Sequence, residues 1–368
     1  VWCAISFVAR SQRRGGVAPV AELPAPAVEP QGEQETARLR TIIVTGAAGF
    51  IGSETCLRLA ARGDRVVGLD SFDPYYEPAL KADRAARLLR EAGVEVRRLD
   101  IADAPALAAL VRETAPQGVV HLAAQAGVRY SIDHPFAYER SNLAGHLSVL
   151  EACRHTGGLE HLVYASSSSV YGERPATGAA FRESDPVDHP VSLYAATKRA
   201  AELMSDTYAH LYDLPQSGLR FFTVYGPWGR PDMAYFSFTR AILAGQPIEV
   251  FGEGEMARDF TYVDDIVDGV LGVLDRPPER GGHRILNIGA DRPRALMDFI
   301  RLIEAACGRE AKLVMRRMQP GDVSSTWADV SALKALTGYA PNTTLESGIE
   351  RFVAWYRGRY RDDGQRRE

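Results

Sequence analysis

Tyr194 stands four residues ahead of Lys198 in the run Tyr194-Ala195-Ala196-Thr197-Lys198. In a helix, residues four apart share a face, so the phenol and the ammonium become neighbours. A free tyrosine titrates at about 10 and is a poor base at neutral pH. A nearby ammonium, joined by a cationic ring bound alongside, favours the phenolate and lowers that value, each unit being worth about 1.4 kcal/mol. The phenolate can then take a hydroxyl proton while hydride leaves the same carbon. Taken alone, this spacing also describes many surface helices. Upstream, Ala165-Ser166-Ser167-Ser168-Ser169-Val170-Tyr171-Gly172 puts four hydroxyls directly after an apolar run. At the carboxyl end of a strand such hydroxyls face the crevice of an open sheet, where one can relay a proton or orient a reacting oxygen.

A second constellation precedes these. Thr45-Gly46-Ala47-Ala48-Gly49-Phe50-Ile51-Gly52 has the spacing G-x-x-G-x-x-G between an apolar strand and an apolar helix. Gly46 suits a turn that a Cβ would obstruct. Gly49 lets backbone N–H groups approach a pyrophosphate at a helix N-terminus, and Gly52 lets helix and strand pack closely. Phe50 and Ile51 belong to the same first helical turn. The next strand ends in Asp70, whose carboxylate can accept hydrogen bonds from an adenosine ribose and repels a 2′-phosphate. The cofactor expected is therefore NAD in place of NADP. Asp100 ends the third strand. With the Ile101 backbone it is placed to meet the adenine, although a solvated loop acid is the equal alternative.

These residues need a scaffold that brings strand ends together. Apolar strands are expected at 41–45, 65–70, 94–99, 118–122, 161–166 and 218–222, separated by helical stretches that include 50–62. Such alternation predicts an α/β fold of Rossmann type, a doubly wound parallel sheet with helices on both faces. Beyond Thr223 the alternation breaks. The expected organisation is a disordered Ala/Pro/Gly/Glu-rich leader at 1–39 and an NAD-binding domain at 40–222 with a return segment near 264–288. A smaller C-terminal lobe at 223–263 and 289–355 would bind the substrate, and 356–368 would be a solvated tail.

The 368 residues carry 43 Lys+Arg against 47 Asp+Glu, a formal charge of −4, which argues against a general nucleic-acid binder. Four cysteines without a C-x-x-C pair suggest neither zinc nor a disulfide framework, and a reducing cytoplasm is the simplest compartment. His121 has no partners at metal-ligand spacing, so no metal is expected. No run is long and apolar enough to span a bilayer. Residues 1–8 are apolar, but the arginines follow them, the reverse of a signal peptide.

Together the glycine turn, the serine run and the Tyr-Lys pair resemble the extended short-chain dehydrogenase/reductases that act on nucleotide sugars, over about residues 41–355. Two stretches narrow the likeness. His121-Leu122-Ala123-Ala124-Gln125-Ala126-Gly127-Val128-Arg129-Tyr130-Ser131 and Gly226-Pro227-Trp228-Gly229-Arg230-Pro231-Asp232-Met233-Ala234 look most like UDP-glucuronate 4-epimerases.

The resemblance implies a tightly bound NAD used transiently, a UDP-sugar substrate, and catalysis by Ser167, Tyr194 and Lys198, the last two also contacting the cofactor. It implies Arg258 on the UDP diphosphate and Asp322 on the uridine ribose, with Phe236 either covering the nucleotide or in the core. It further implies a homodimer built from the helix around 142–155 and the helix starting at Tyr194. A 4-keto-uronate is a β-keto acid and loses CO₂ readily, so its carboxylate must be held out of line with the ketone. Arg230, Thr223 and Ser168 are the candidates for that clamp. Ser168 and Ser169 stand where related dehydratases and decarboxylases generally carry acids, which favours epimerisation. The rival readings are an epimerase of another UDP-hexose, such as UDP-glucose, and a non-catalytic nucleotide-sugar or NAD sensor.

Overall fold

Thr41-Ile42-Ile43-Val44-Thr45 is a β-branched run, and in the computed structural model, which describes residues 39–173, 179–317 and 325–360, it forms a buried central strand, β1 (Thr41–Thr45). Its side chains alternate between two apolar cores. Ile42 and Val44 join one cluster and Ile43 the other, so both faces of the sheet are covered, as a parallel sheet requires.

The strands around it are β2 (Arg65–Asp70), β3 (Val96–Arg98), β4 (Gly118–His121), β5 (His161–Ser167) and β6 (Gln216–Phe221). Then follow β7 (Thr223–Tyr225), β8 (Pro247–Phe251), β9 (Ala257–Tyr262), β10 (His283–Ile288), β11 (Pro293–Ala295), β12 (Lys312–Arg316) and β13 (Ser325–Thr326). Seven of them make one parallel sheet in the order β10-β6-β5-β4-β1-β2-β3. The reversal of order between β1 and β4 opens a crevice at the strand ends. β7 follows β6 after the single residue Phe222 and pairs with β9, so a second small sheet begins at the carboxyl end of the first. β8 and β12 form a further pair.

The longer helices are α1 (Phe50–Ala61), α2 (Pro78–Ala92) and α3 (Ala104–Thr114), followed by short turns α4 (Tyr130–Asp133) and α5 (Pro135–Tyr138). A π-helical stretch, Glu139–Ala144, leads into α6 (Gly145–Arg154). After these come α7 (Leu193–Tyr212), α8 (Ala234–Leu243), α9 (Val263–Leu274), α10 (Leu296–Cys307), α11 (Ser331–Thr337) and α12 (Leu345–Tyr360).

Most element ends fall within a residue of those expected, and three boundaries differ by more. The third strand starts at Val96, because Val94 closes the end of α2: its N–H donates to Leu88 O across Gly93, whose φ is 64°. The sixth strand begins earlier, at Gln216. That residue is polar but buried, its amide donating 2.7 Å to Ser205 O. α12 runs to Tyr360, past the boundary expected at 355, because Tyr356 and Tyr360 pack edge-on against Phe236. Residues 1–38 and 361–368 of the expected leader and tail lie outside the described residues. From Leu39 onward the described chain forms one compact unit.

Candidate active site

The glycine turn occupies the β1–α1 junction. Gly46 has φ of 73°, and a Cβ there would sit 2.8 Å from Ala123 N; a Cβ on Gly52 would sit 2.1 Å from Gly46 O. Side chains are excluded at both places, which leaves backbone N–H groups at the start of α1 with no intrahelical partner. The Asp70 carboxylate ends β2 and is buried. It accepts from Ala48 N at 3.1 Å, Phe72 N at 2.8 Å and Lys81 Nζ at 3.2 Å. A carboxylate has about four acceptor directions, so capacity remains for a ribose hydroxyl. Asp100 is tied by Arg140 Nη2 at 2.7 Å and is partly exposed, whereas Ile101 is buried beside it.

These residues share one cavity of about 450 Å³ with Ser166, Ser167, Ser168, Ser169, Tyr194, Lys198, Thr223 and Arg230. Gly46, Gly49, Phe50, Ile51, Gly52, Asp70, Asp100 and Ile101 all line it. The glycine cradle, the helix N-terminus and Asp70 fit a dinucleotide.

Helix α7 starts abruptly because Ser192 caps it, Oγ accepting 3.1 Å from Ala195 N. Tyr194 thus falls in the first turn, partly exposed to the cavity. Strand alternation then sorts the serines. Ser166 points to one face and donates 2.6 Å to Glu202 Oε1. Ser167 points to the other, into the cavity that Tyr194 also lines, and its Oγ accepts 3.1 Å from Ser169 N. Lys198 is buried and donates 2.9 Å to Ala165 O.

Burial raises the Tyr194 phenol above its ordinary value, while the Ser167 hydroxyl and the Arg230 charge pull it back. The lowering expected from Lys198 is not realised in this structure. That ammonium is itself desolvated and pushed down to about 8, with the Glu202 carboxylate opposing the shift. Arg230 is held well above the ordinary range by Asp232. Its Nε donates 3.0 Å to Asp232 Oδ1 and its Nη2 to Oδ2, and Tyr75 donates 3.1 Å to the same Oδ2.

The remaining residues singled out from the sequence lie outside the cavity lining or outside the described residues. Arg258 lies on β9, donating 2.9 Å to Ala257 O, and among the described residues it is not part of the cavity lining. Asp322 lies outside the described residues. Phe236 is buried in the aromatic core and does not cover the cavity. His121 accepts or donates at 2.7 Å to Thr45 Oγ1, and no described group of three His, Cys, Asp or Glu could hold a metal.

Several functional neighbours escaped the sequence reading. Asn142, in the π-helical stretch, bonds Gln125 N and O at 2.8 and 3.1 Å and Thr197 Oγ1 at 3.0 Å, joining the β4 loop to α7. Arg84 is fully buried. It donates to Ala48 O at 3.1 Å and Trp228 O at 3.0 Å, fixing the loop that carries Arg230 against the glycine turn. Only Glu202 left a signal, since it continues the i, i+4 series Tyr194, Lys198, Glu202.

The sequence profile of the NAD dependent epimerase/dehydratase family matches residues 42–289. The chain belongs to that family. It is 46% identical to UDP-glucuronate 4-epimerase 3 of Arabidopsis thaliana over 346 residues, which cover 89% of this chain and 80% of the relative. It is 44% identical to a probable UDP-glucuronate 4-epimerase of Rhizobium meliloti, with 87% and 97% covered. Among solved structures it resembles the UDP-glucuronic acid 4-epimerase of Bacillus cereus in complex with UDP-glucuronic acid and NAD, at a TM-score of 0.81 and 34% identity, covering 87% of this chain and all of that one (100%). The family and the cofactor class thus agree with the site.

Proposed function

We propose that this chain interconverts UDP-glucuronate and UDP-galacturonate at C4. The observation that carries this is the meeting of the Ser167 hydroxyl, the Tyr194 phenol and the Arg230 guanidinium in the same cavity as the glycine turn and Asp70. Bound NAD would supply the acceptor for the C4 hydride and its return, with no net oxidation. Gly46, Gly49, Gly52 and Asp70 would hold its phosphates and ribose, and Lys198 its second ribose. Tyr194 removes the 4-hydroxyl proton, with Ser167 orienting that oxygen, and gives a proton back when the opposite face is reduced. Between these events the 4-keto sugar turns. Arg230, with Thr223 and Ser168, keeps the uronate carboxylate from aligning its C–C bond with the ketone, which suppresses loss of CO₂. In this reading segments 223–263 and 289–355 form the sugar side of the cleft.

Purified protein given UDP-glucuronate should yield UDP-galacturonate, and the reverse. Turnover of UDP-glucose alone would replace the substrate, and binding without conversion would leave only a sensor. Arg230→Ala should weaken activity on the uronate by about 10²-fold, the loss of a charged hydrogen-bonding group in a desolvated site, with little change in NAD binding. Equal losses in both would remove the clamp.

The chain pairs as a homodimer in this proposal. Leu147 on α6 and Leu203 and Leu211 on α7 are apolar and exposed, the last two on one helical face. Sedimentation of the wild type against a Leu203→Glu variant tests it. A cytoplasmic site of action is supported by Cys56, Cys153 and Cys307, which are free. No described helix is long and apolar enough to cross a membrane.

A further inference from the structure

Arg230 faces the reacting end of the cavity, yet the protein already supplies it with a carboxylate. Asp232, two residues on, takes the Nε–Nη2 edge of the guanidinium with both oxygens. The ion pair is partly shielded, with side-chain exposures of 22% and 30%. Arg230 holds Asp232 below the ordinary carboxylate range, so Asp232 is ionised at neutral pH. Tyr75, which also lines the cavity, donates 3.1 Å to Oδ2 and stacks its ring 6.0 Å from the guanidinium carbon. A uronate carboxylate entering this cavity meets a cation whose better edge is filled. It must use the Nη1 side of the same fork or displace Asp232.

We propose that Asp232 is an internal competitor for Arg230: it weakens the grip on the substrate carboxylate so that the 4-keto sugar can turn. This rests on the proposal that Arg230 receives that carboxylate. The physical need follows from the reaction. A bidentate guanidinium–carboxylate pair is strong and directional. Holding the acid rigidly would guard it against loss of CO₂, but it would also oppose the rotation that exposes the second face of the ketone. A carboxylate two residues away that shares the same cation supplies an alternative partner at each stage. The guanidinium is never left without a counter-charge, which in a desolvated site would be costly. Tyr75 sets the balance, because its phenol draws off part of the Asp232 charge. Asp232 therefore acts through Arg230 as a positioning residue.

Titration calorimetry of the NAD-loaded protein with UDP-glucuronate and with UDP-glucose, which lacks the carboxylate, tests this. Asp232→Asn keeps the shape and removes the charge. It should tighten UDP-glucuronate about tenfold, or ~1.4 kcal/mol, and leave UDP-glucose within about twofold. In turnover it should lower both KM and kcat for the uronate, the pattern of a ground state bound too well. Asp232→Glu should restore wild-type affinity. Tyr75→Phe should act in the opposite sense, weakening UDP-glucuronate by about threefold, because Asp232 then keeps its full charge for Arg230. Unchanged or weaker uronate binding in Asp232→Asn, or equal shifts for both ligands, overturns the competition. So does tighter binding in Tyr75→Phe, the variant that decides the matter if Asp232→Asn does not fold. Arg230→Ala separates the two proposals. If it leaves uronate binding intact, the clamp itself fails. If it weakens binding while Asp232→Asn changes nothing, only the competition fails.

Discussion

Two polar clusters flank the end of β5, one on each face, and they are finished to different degrees. Behind the strand, Glu202 is 1% exposed and every direction around it is used: Ser166, Arg220 through two nitrogens at 2.9 Å, and Arg199 at 3.1 Å. In front, Ser167, Tyr194 and Arg230 line the cavity; Ser167 is buried at its wall, while Tyr194 and Arg230 are partly exposed, with capacity for a ligand. Lys198 stands between them, pinned to the strand carbonyl and supported from behind by Glu202. The contrast shows what each cluster is for. A buried charge is tolerated only when compensated, so the rear cluster builds the frame. The front one, apart from the Arg230–Asp232 pair, keeps hydrogen-bonding capacity that in the proposed function the sugar would use.

Tyr194→Phe should separate the two most sharply. In the proposed mechanism it removes the proton carrier, so kcat should fall by about 10³-fold or more, with the unfolding curve unchanged. A variant that keeps a tenth of the activity would assign the chemistry elsewhere. Glu202→Gln should do the reverse. It strands Arg220, so stability should drop by about 3–5 kcal/mol in denaturant. It also withdraws the charge that opposes the downward shift of Lys198. In the wild type the ammonium is present below about 8 and is lost above it, so kcat should fall as pH rises through that value. In Glu202→Gln this alkaline limb should move to lower pH; a limb that stays put would uncouple the two clusters.

The adjacent serines give the finest comparison. Ser167→Ala should lower kcat by about 10²-fold with little effect on stability. Ser166→Ala should cost about 1 kcal/mol of stability and change kcat only a few-fold. Equal kinetic losses at both positions would mean that strand alternation does not separate the roles.

Much of this arrangement was legible beforehand, and for identifiable reasons. Gly46, Gly49 and Gly52 announce a turn because no other residue fits there. Asp70 ends a strand whose apolar run is unmistakable, and Tyr194 and Lys198 share a helical face through local geometry. These are short-range consequences of residue type. Arg84, Asn142 and Glu202 were not legible as site-builders, since the partners that place them are distant in sequence: Ala48 and Trp228 for Arg84, Gln125 and Thr197 for Asn142, Ser166 and Arg220 for Glu202, although Glu202 does repeat the helical spacing. The end of α12 was misplaced for a similar reason: its arginines suggest a solvated tail, while Tyr356 and Tyr360 find Phe236 only once the chain has folded.

The amino-acid order therefore determined which elements form, where the chain turns, and which phenol and ammonium share a helical face, because these depend on neighbours a few residues apart. Tertiary structure alone decided which serine meets Tyr194, which charge supports Lys198, and that Arg230 already carries Asp232. Those outcomes depend on burial and on contacts between distant elements, and desolvation, which sets the sign of the Tyr194 and Lys198 shifts, has no counterpart in an unfolded chain.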